Sequence, residues 1–315
     1  MALKKAVFAD IGVFEPLEGN PLAGIVDAIY HYDSPDAATL AQRCRDANIV
    51  VWGWGNITNE IIDSSPNIEM IVYIGVGAAC KIDVKYANSK GIIVTNTPHY
   101  GDLAVAEHGI ALMFASARKL VQADRSMHKG KWESFAGTEL RGSTMGIVGL
   151  GGVGVVLADI GNALGMRVIC NTRRPSPERA RKHKVEFVEL DELMSTSDHI
   201  QLAQALNVET QGMIGERQLG LMKEGAQLIN VARGELVDQK ALLKGLKEGR
   251  IAGYATDVFE VEPVKNDPLL DLDNVISSPH IAYDTPGAKK NLLDIAVDNV
   301  RAYVSGQPQN IYEVP

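Results

Sequence analysis

Apolar and polar positions along the chain alternate between two patterns. Short runs dense in β-branched and aliphatic residues, at 5–9, 49–54, 68–74 and 92–95, are bounded by glycine or polar residues and predict strands. Between them, 35–47, 59–64 and 82–89 read as helices. From Asp102 the period lengthens. Leu103, Ala106, Ile110, Met113, Ala117 and Leu120 recur every three or four residues and predict one long amphipathic helix that joins two domains, with His99-Tyr100-Gly101 before it as a hinge. A polar stretch over 124–141, carrying Trp132 and Phe135, follows it. Strands are then expected at 145–148, 167–174, 187–190, 200–203, 227–231, 251–258 and 275–276. A short helix is expected over 191–195, and Asp238 caps a helix running to Glu248, stopped by Gly249. Pro286 opens a last helix with Leu293, Ala296, Val300 and Val304 on one face, which is expected to return to the first domain.

The stretch from Met145 to Arg174 adds chemistry to this pattern. A strand is followed by Gly149-Leu150-Gly151-Gly152-Val153-Gly154, an apolar helix and a second strand, which together predict a βαβ unit for a dinucleotide. Gly149 allows the tight turn, Gly151 lets the backbone approach a pyrophosphate, and Gly154 lets the helix pack on the strand. Gly152 and Val153 open the helix, whose N-terminus suits the negative charge. The second strand ends in Thr172-Arg173-Arg174, where an NAD site favours an acidic residue for the ribose hydroxyls. Two arginines there suit a 2′-phosphate, so NADP is the expected cofactor, with NAD as the alternative.

The alternation of strands and helices predicts an α/β protein with parallel sheets. The expected architecture is a Rossmann-type doubly wound parallel sheet plus a smaller flavodoxin-like α/β domain. Residues 1–99 with 284–315 are assigned to a substrate (catalytic) domain, and 100–283 to the dinucleotide-binding domain. The length of 315 residues fits two cores. A net charge of −8 argues against nucleic acid or an anionic membrane as partner. Cys44, Cys80 and Cys170 stand far apart and read as free thiols of a reducing compartment. Asp10 comes too early for a signal peptide, and no apolar run is long enough to span a bilayer, so a cytoplasmic protein is expected.

In an open parallel sheet, ligands bind beyond the carboxyl ends of the strands. Arg233, Glu262 and His280 all follow expected strands. A hydride-transfer enzyme needs a group for an anionic substrate and an acid/base for the hydroxyl proton. The planar fork of Arg233 suits a carboxylate. His280 titrates in the right range, and Glu262 would orient its ring and favour its protonated form. His31, His99, His108, His128, His183 and His199 show no metal-ligand spacing and read as surface or hinge residues. Arg179, Arg181 and Lys182 read as a solvated helix face, and Tyr283 as packing or as a wall of the substrate pocket.

These motifs resemble those of the D-isomer-specific 2-hydroxyacid dehydrogenase family, which includes glyoxylate/hydroxypyruvate reductases and phosphoglycerate dehydrogenases. The resemblance is carried by Gly75-Val76-Gly77, Thr95-Asn96-Thr97-Pro98, Val105-Ala106-Glu107, Gly130-Lys131-Trp132, the glycine turn, Asn230-Val231-Ala232-Arg233-Gly234, Asp257 to Pro263 and Ser278-Pro279-His280. It implies that Arg233, Glu262 and His280 form the catalytic set and that amides around Val76 and Gly77 also hold the substrate carboxylate. It implies a cofactor site that adds Leu206, Thr210, Val231, Ala232, Asp257 and His280 to the glycine turn, with Asp257 by the nicotinamide carboxamide. It also implies a homodimer joined through the cofactor domain, which would use the Trp132 segment. The expected reaction is NADPH-dependent reduction of a small 2-oxo acid to a D-2-hydroxy acid, without a metal. The chain departs from the family pattern at Ala203-Gln204-Ala205 and at Ala78-Ala79-Cys80. Alternative readings are an NAD-dependent D-2-hydroxyacid or phosphite-type dehydrogenase, and a dinucleotide-sensing corepressor or scaffold on the same fold.

Overall fold

The computed structural model describes residues 2–12, 14 and 16–313. Along the chain the elements begin with β1 (Lys5–Phe8), β2 (Asp27–Tyr30), α1 (Ala37–Cys44), β3 (Ile49–Trp52), α2 (Asn59–Asp63), β4 (Met70–Tyr73), α3 (Val84–Ser89) and β5 (Ile93–Thr95). Then come α4 (Asp102–Ala117), α5 (Leu120–His128), β6 (Thr144–Val148), α6 (Gly152–Ala163), β7 (Arg167–Asn171), α7 (Pro177–His183), β8 (Glu186–Phe187) and α8 (Leu190–Thr196). The last are β9 (His199–Leu202), α9 (Glu216–Leu221), β10 (Gln227–Asn230), α10 (Gln239–Lys247), β11 (Gly253–Thr256), β12 (Val275–Ser277) and α11 (Pro286–Val304). They form two compact units, Met1–Gly101 with Thr285–Pro315, and Asp102–Asp284.

The first unit holds a five-stranded parallel sheet in the order β2-β1-β3-β4-β5, the flavodoxin-like order expected. Its central strand β3 is buried along its whole length, as a parallel strand covered on both faces must be. Asp36, Thr58 and Asp83 cap α1, α2 and α3, each accepting a backbone N–H from the first turn. α11 packs on this sheet, where the buried Asn299 donates to the carbonyl of Asn96 at 2.8 Å. Thr285 caps it, with Pro286 at its first position.

The second unit holds a seven-stranded parallel sheet, β12-β11-β10-β9-β6-β7-β8. Numbered from its own first strand, the order is 3-2-1-4-5-6 with one strand added, the doubly wound order expected. β9, β10 and β11 are fully buried, and two apolar clusters cover the two faces. The order reverses between β6 and β9, and this is the switch point beyond which α/β sheets place their ligands.

The periodicity misjudged some elements. The long helix ends at Ala117, where Lys119 turns left-handed at φ 54° and a second helix, α5, begins. Leu103 and Leu120 had been assigned to its buried face, yet they are 59% and 54% exposed. α5 also takes the first part of the polar stretch over 124–141. β2 and α9 were not anticipated. The remaining elements lie within a few residues of their expected bounds.

Candidate active site

The glycine turn is built as a close crossing of backbones. Gly149 follows β6 at φ 98°, and its N–H donates to Asn171 at the end of β7. A Cβ on Gly149 would stand 2.7 Å from the carbonyl oxygen of Ala203, and one on Gly154 would collide with the Gly149 carbonyl. Both glycines are therefore required by packing. Gly151 is different. Its φ of −82° suits any residue, and a Cβ there would meet no protein atom within 4 Å. Open space at this glycine, at the N-terminus of a 12-residue helix, fits a phosphate-bearing ligand that approaches the backbone. Gly152 instead abuts the Asp102 carboxylate, and Val153 is half-buried in the first turn of α6.

The three ionisable residues expected to do chemistry come together at the carboxyl ends of neighbouring parallel strands. Arg233 follows β10, Glu262 follows β11, and His280 follows β12. The turn after β10 is shaped by Asn230. Its side chain donates to the carbonyl of Arg233 at 2.9 Å and accepts the Ala232 N–H at 3.0 Å. Gly234 lets this turn press on the backbone of Phe259, where a Cβ would collide. That close approach brings Arg233 to the loop of Glu262. The Arg233 guanidinium itself donates to the Ala232 carbonyl at 2.7 Å.

Nδ1 of His280 stands 2.6 Å from Oε2 of Glu262, whose Oε1 accepts the Phe259 N–H at 2.9 Å. Burial pushes the Glu262 carboxyl upward. The His280 hydrogen bond, the Phe259 N–H and the charges of His280 and Arg233 outweigh burial, so the group ionises below its ordinary range. A carboxylate bonded to Nδ1 leaves Nε2 of His280 for another partner. His280 sits at φ 55°, unusual for a residue with a side chain, and its N–H donates to the Asp257 carbonyl at 2.9 Å. The buried Asp257 carboxylate takes the next two N–H groups, from Ile281 at 2.9 Å and Ala282 at 2.7 Å. These bonds hold the turn in its left-handed form. Tyr283 meets the His280 ring edge-on at 6.2 Å. An apolar cavity of about 540 Å³, walled by Phe259, Pro263, Val264 and Leu270, adjoins the pair.

The other expected residues are more dispersed. Val231 is buried at the end of β10, Ala232 is half-buried beside it, and Leu206 packs at the edge of the core. The Thr210 hydroxyl closes its own loop, donating to the Ala205 carbonyl at 2.8 Å and accepting the Asn207 N–H at 2.8 Å. Among the described residues, Gln204 likewise reaches its own loop, donating to the Ala205 carbonyl. Thr172 is half-buried after β7, while Arg173 and Arg174 are exposed. Arg173 approaches Glu209 at 3.8 Å, both side chains about three-quarters exposed. In the first unit, Asn96 donates to the Val76 carbonyl at 2.9 Å and Thr97 accepts the Gly75 N–H at 2.8 Å. The N–H groups of Val76 and Gly77 find no acceptor among the described residues. Ala78–Cys80 form a single 3₁₀ turn after them.

Three residues read as surface or hinge are corrected. Arg179 is not on a solvated face. It donates to the carbonyls of Arg174, at 2.7 Å, and Leu150, tying the loop after β7 to the glycine turn. His199 is buried and faces Gln227 at 3.2 Å. His108 reaches the hydroxyl of Ser278 at 2.8 Å. Local spacing carries no signal for the bond of Arg179 to Leu150 or of His108 to Ser278, whose partners lie 29 and 170 residues away.

Comparison with known proteins agrees with this geometry. Residues 110–282 match the model of the D-isomer specific 2-hydroxyacid dehydrogenase NAD binding domain. A glyoxylate reductase of Thermococcus gammatolerans is 39% identical over 85% of this chain and 83% of its own. A D-3-phosphoglycerate dehydrogenase of Archaeoglobus fulgidus is 42% identical over 85% of this chain, which spans about half, 51%, of that protein. Among solved structures, an acyclic imino acid reductase in complex with NADPH and D-Arg superposes with a TM-score of 0.86, at 31% identity, over 98% of this chain and all of that one. The match over the second unit, the near full-length similarity and the strand-end placement of Arg233, Glu262 and His280 agree: the chain belongs to the D-isomer specific 2-hydroxyacid dehydrogenases, a family of NAD(P)-dependent oxidoreductases.

Proposed function

We propose that the protein reduces a small 2-oxo acid, of the glyoxylate or hydroxypyruvate kind, to the D-2-hydroxy acid, with NADPH as the preferred cofactor. The observation that carries this reading is the 2.6 Å contact of His280 with Glu262, on a carboxylate that also feels the Arg233 charge. When bound, the nicotinamide supplies the hydride. Arg233 binds the substrate carboxylate through its planar fork and draws electron density from the adjacent ketone. His280 gives the Nε2 proton to the oxygen as it becomes an alkoxide. Glu262 holds the ring by Nδ1 and stabilises the imidazolium before transfer. Asp257 keeps the His280 turn in place and would lie by the carboxamide of a bound nicotinamide. In the first unit, which takes the role of substrate domain, the N–H groups of Val76 and Gly77 suit a carboxylate oxygen of such an acid.

The preference for NADPH rests on Arg173 and Arg174, placed after β7 where the adenosine ribose of a dinucleotide lies in this fold. Leu206, Thr210, Val231 and Ala232 would help hold a bound dinucleotide. Trp132, 92% exposed, is assigned to the contact of a homodimer. The experiment is a panel of 2-oxo acids assayed with NADPH and with NADH at subsaturating concentration. Turnover of glyoxylate or hydroxypyruvate, faster with NADPH, supports the reading. Equal or better use of NADH removes the cofactor preference, and no turnover on any 2-oxo acid removes the reaction.

A further inference from the structure

We propose that His108 is a positioning residue for the reduction, acting through Ser278 on Asp257 and so on the turn that carries His280. The inference rests on the assignment of His280 as acid. Three side chains from three elements meet here: His108 from α4, Asp257 directly after β11, and Ser278 directly after β12. The Ser278 hydroxyl lies 2.5 Å from Oδ1 of Asp257, and Nε2 of His108 lies 2.8 Å from the same hydroxyl.

Hydrogen-bond arithmetic fixes the direction of this relay. Asp257 is 1% exposed, and both its oxygens already accept backbone N–H groups, from Ile281 and Ala282. Ser278, Ile281 and Ala282 all offer it donors, so its two oxygens serve as acceptors. A hydroxyl has one proton, and that of Ser278 goes to Asp257. Its oxygen can then only accept from His108, so the proton of the imidazole resides on Nε2. The chain runs from His108 to Ser278 to Asp257, and Nε2 also lies 3.6 Å from Oδ1 itself.

The relay has a mechanical consequence. Asp257 grips 280–282 by three bonds, one to its carbonyl and two to its carboxylate. His280 is left-handed within that grip, at φ 55°. Such a conformation persists only when its surroundings overdetermine it. Removing the His108 donor frees the Ser278 hydroxyl to rotate, weakens its hold on Oδ1, and lets the carboxylate turn. The acid then spends less of its time aligned for proton transfer, which lowers turnover and leaves substrate binding at Arg233 in place.

The test is a double-mutant cycle on the purified full chain, using glyoxylate or the best 2-oxo acid of the panel with saturating NADPH. His108→Phe keeps the ring volume and removes the donor; kcat should fall about fivefold, the scale of one lost hydrogen bond, with the oxo-acid KM within about twofold. His108→Gln, which restores an N–H, should recover kcat to within about twofold. Ser278→Ala should lose as much as His108→Phe, and the double variant no more than either. Multiplicative losses in the double variant, or equal losses for the Phe and Gln variants, overturn the relay. If His108→Phe does not fold, Ser278→Ala and His108→Gln decide: the relay requires the loss in the first and near wild-type kcat in the second. His280→Ala, run alongside, separates the two claims. Full activity there refutes the acid assignment, whereas loss there with uncoupled His108 and Ser278 refutes only this inference.

Discussion

Replacing Glu262 by glutamine removes the charge of the His280–Glu262 pair while keeping the shape of the side chain. The amide keeps one acceptor oxygen, which can serve Nδ1 of His280, now at 2.6 Å, while its NH2 replaces the oxygen that accepts the Phe259 N–H at 2.9 Å. What disappears is the negative charge beside an imidazolium. A hydrogen bond to a charged group contributes roughly 1.5–3 kcal/mol and a neutral one about 0.5–1.5, so the difference is about 1–1.5 kcal/mol. The side chains of Glu262 and His280 are 33% and 41% exposed, which favours the lower end. About 1 kcal/mol on the barrier is roughly a fivefold loss in kcat. Steady-state assays with saturating cofactor should show that loss with the oxo-acid KM within about twofold, because Arg233 and not Glu262 binds the acid. In a His280→Ala background the same change should add nothing. An unchanged kcat across the pH range, or a loss confined to KM, contradicts the role given to Glu262.

Other perturbations test other parts of the account. Gly151→Ala places a methyl group in space no protein atom occupies, so stability should stay within about 1 kcal/mol while the KM for the nucleotide rises at least about tenfold; an unaltered KM shows that nothing approaches there. Exchanging Arg173 and Arg174 for serine should raise the KM for NADPH far more than that for NADH, and equal effects refute 2′-phosphate recognition. Glu209→Gln releases Arg173 from an exposed partner at 3.8 Å and should improve NADPH use by no more than about fivefold, read as a ratio of kcat/KM values; a decrease places Glu209 elsewhere. Burial lowers the pKa of His199, outweighing the nearby Asp198, so the unfolded chain binds its proton first as pH falls. That part of the stability is complete above the unfolded value, about 6.5, and is lost as pH falls through the folded one. The thermal midpoint should therefore fall from pH 7 to 5 less steeply in His199→Gln, and parallel slopes contradict this.

Much of the fold was legible because parallel strands buried on both faces are written as continuous apolar runs, as in Ile49-Val50-Val51-Trp52. β2 escaped for the converse reason: Asp27-Ala28-Ile29-Tyr30 is an edge strand, partly exposed along its length. The break after α4 escaped because the apolar period runs on through Leu120, while the left-handed Lys119 is a feature of the backbone alone. β11 was read too long. The apolar Val258 lies beyond Asp257, yet Asp257 leaves the ladder to cap the turn of His280.

The site divides along the same line. Glycines with a steric reason and ionisable residues just past strand ends are local signals, and these single out Gly149, Gly154, Arg233, Glu262 and His280 as candidates. Asn230, Arg179, His108 and Ser278 act by holding those residues, through bonds to carbonyls, amides and hydroxyls elsewhere in the chain. Arg179 looked the same as Arg181 and Lys182 in sequence. Only the packing of α7 beside the glycine turn sets it apart, by giving its guanidinium two carbonyl acceptors.

The central claim is that His280 donates the proton in a cofactor-dependent reduction, and His280→Ala tests it most directly. Turnover of glyoxylate or hydroxypyruvate should fall by at least ~100-fold, the lower bound for loss of a general acid. The dissociation constant for NADPH, from quenching of protein fluorescence, should change by less than about twofold. Activity near that of the wild type, with cofactor binding intact, contradicts the account.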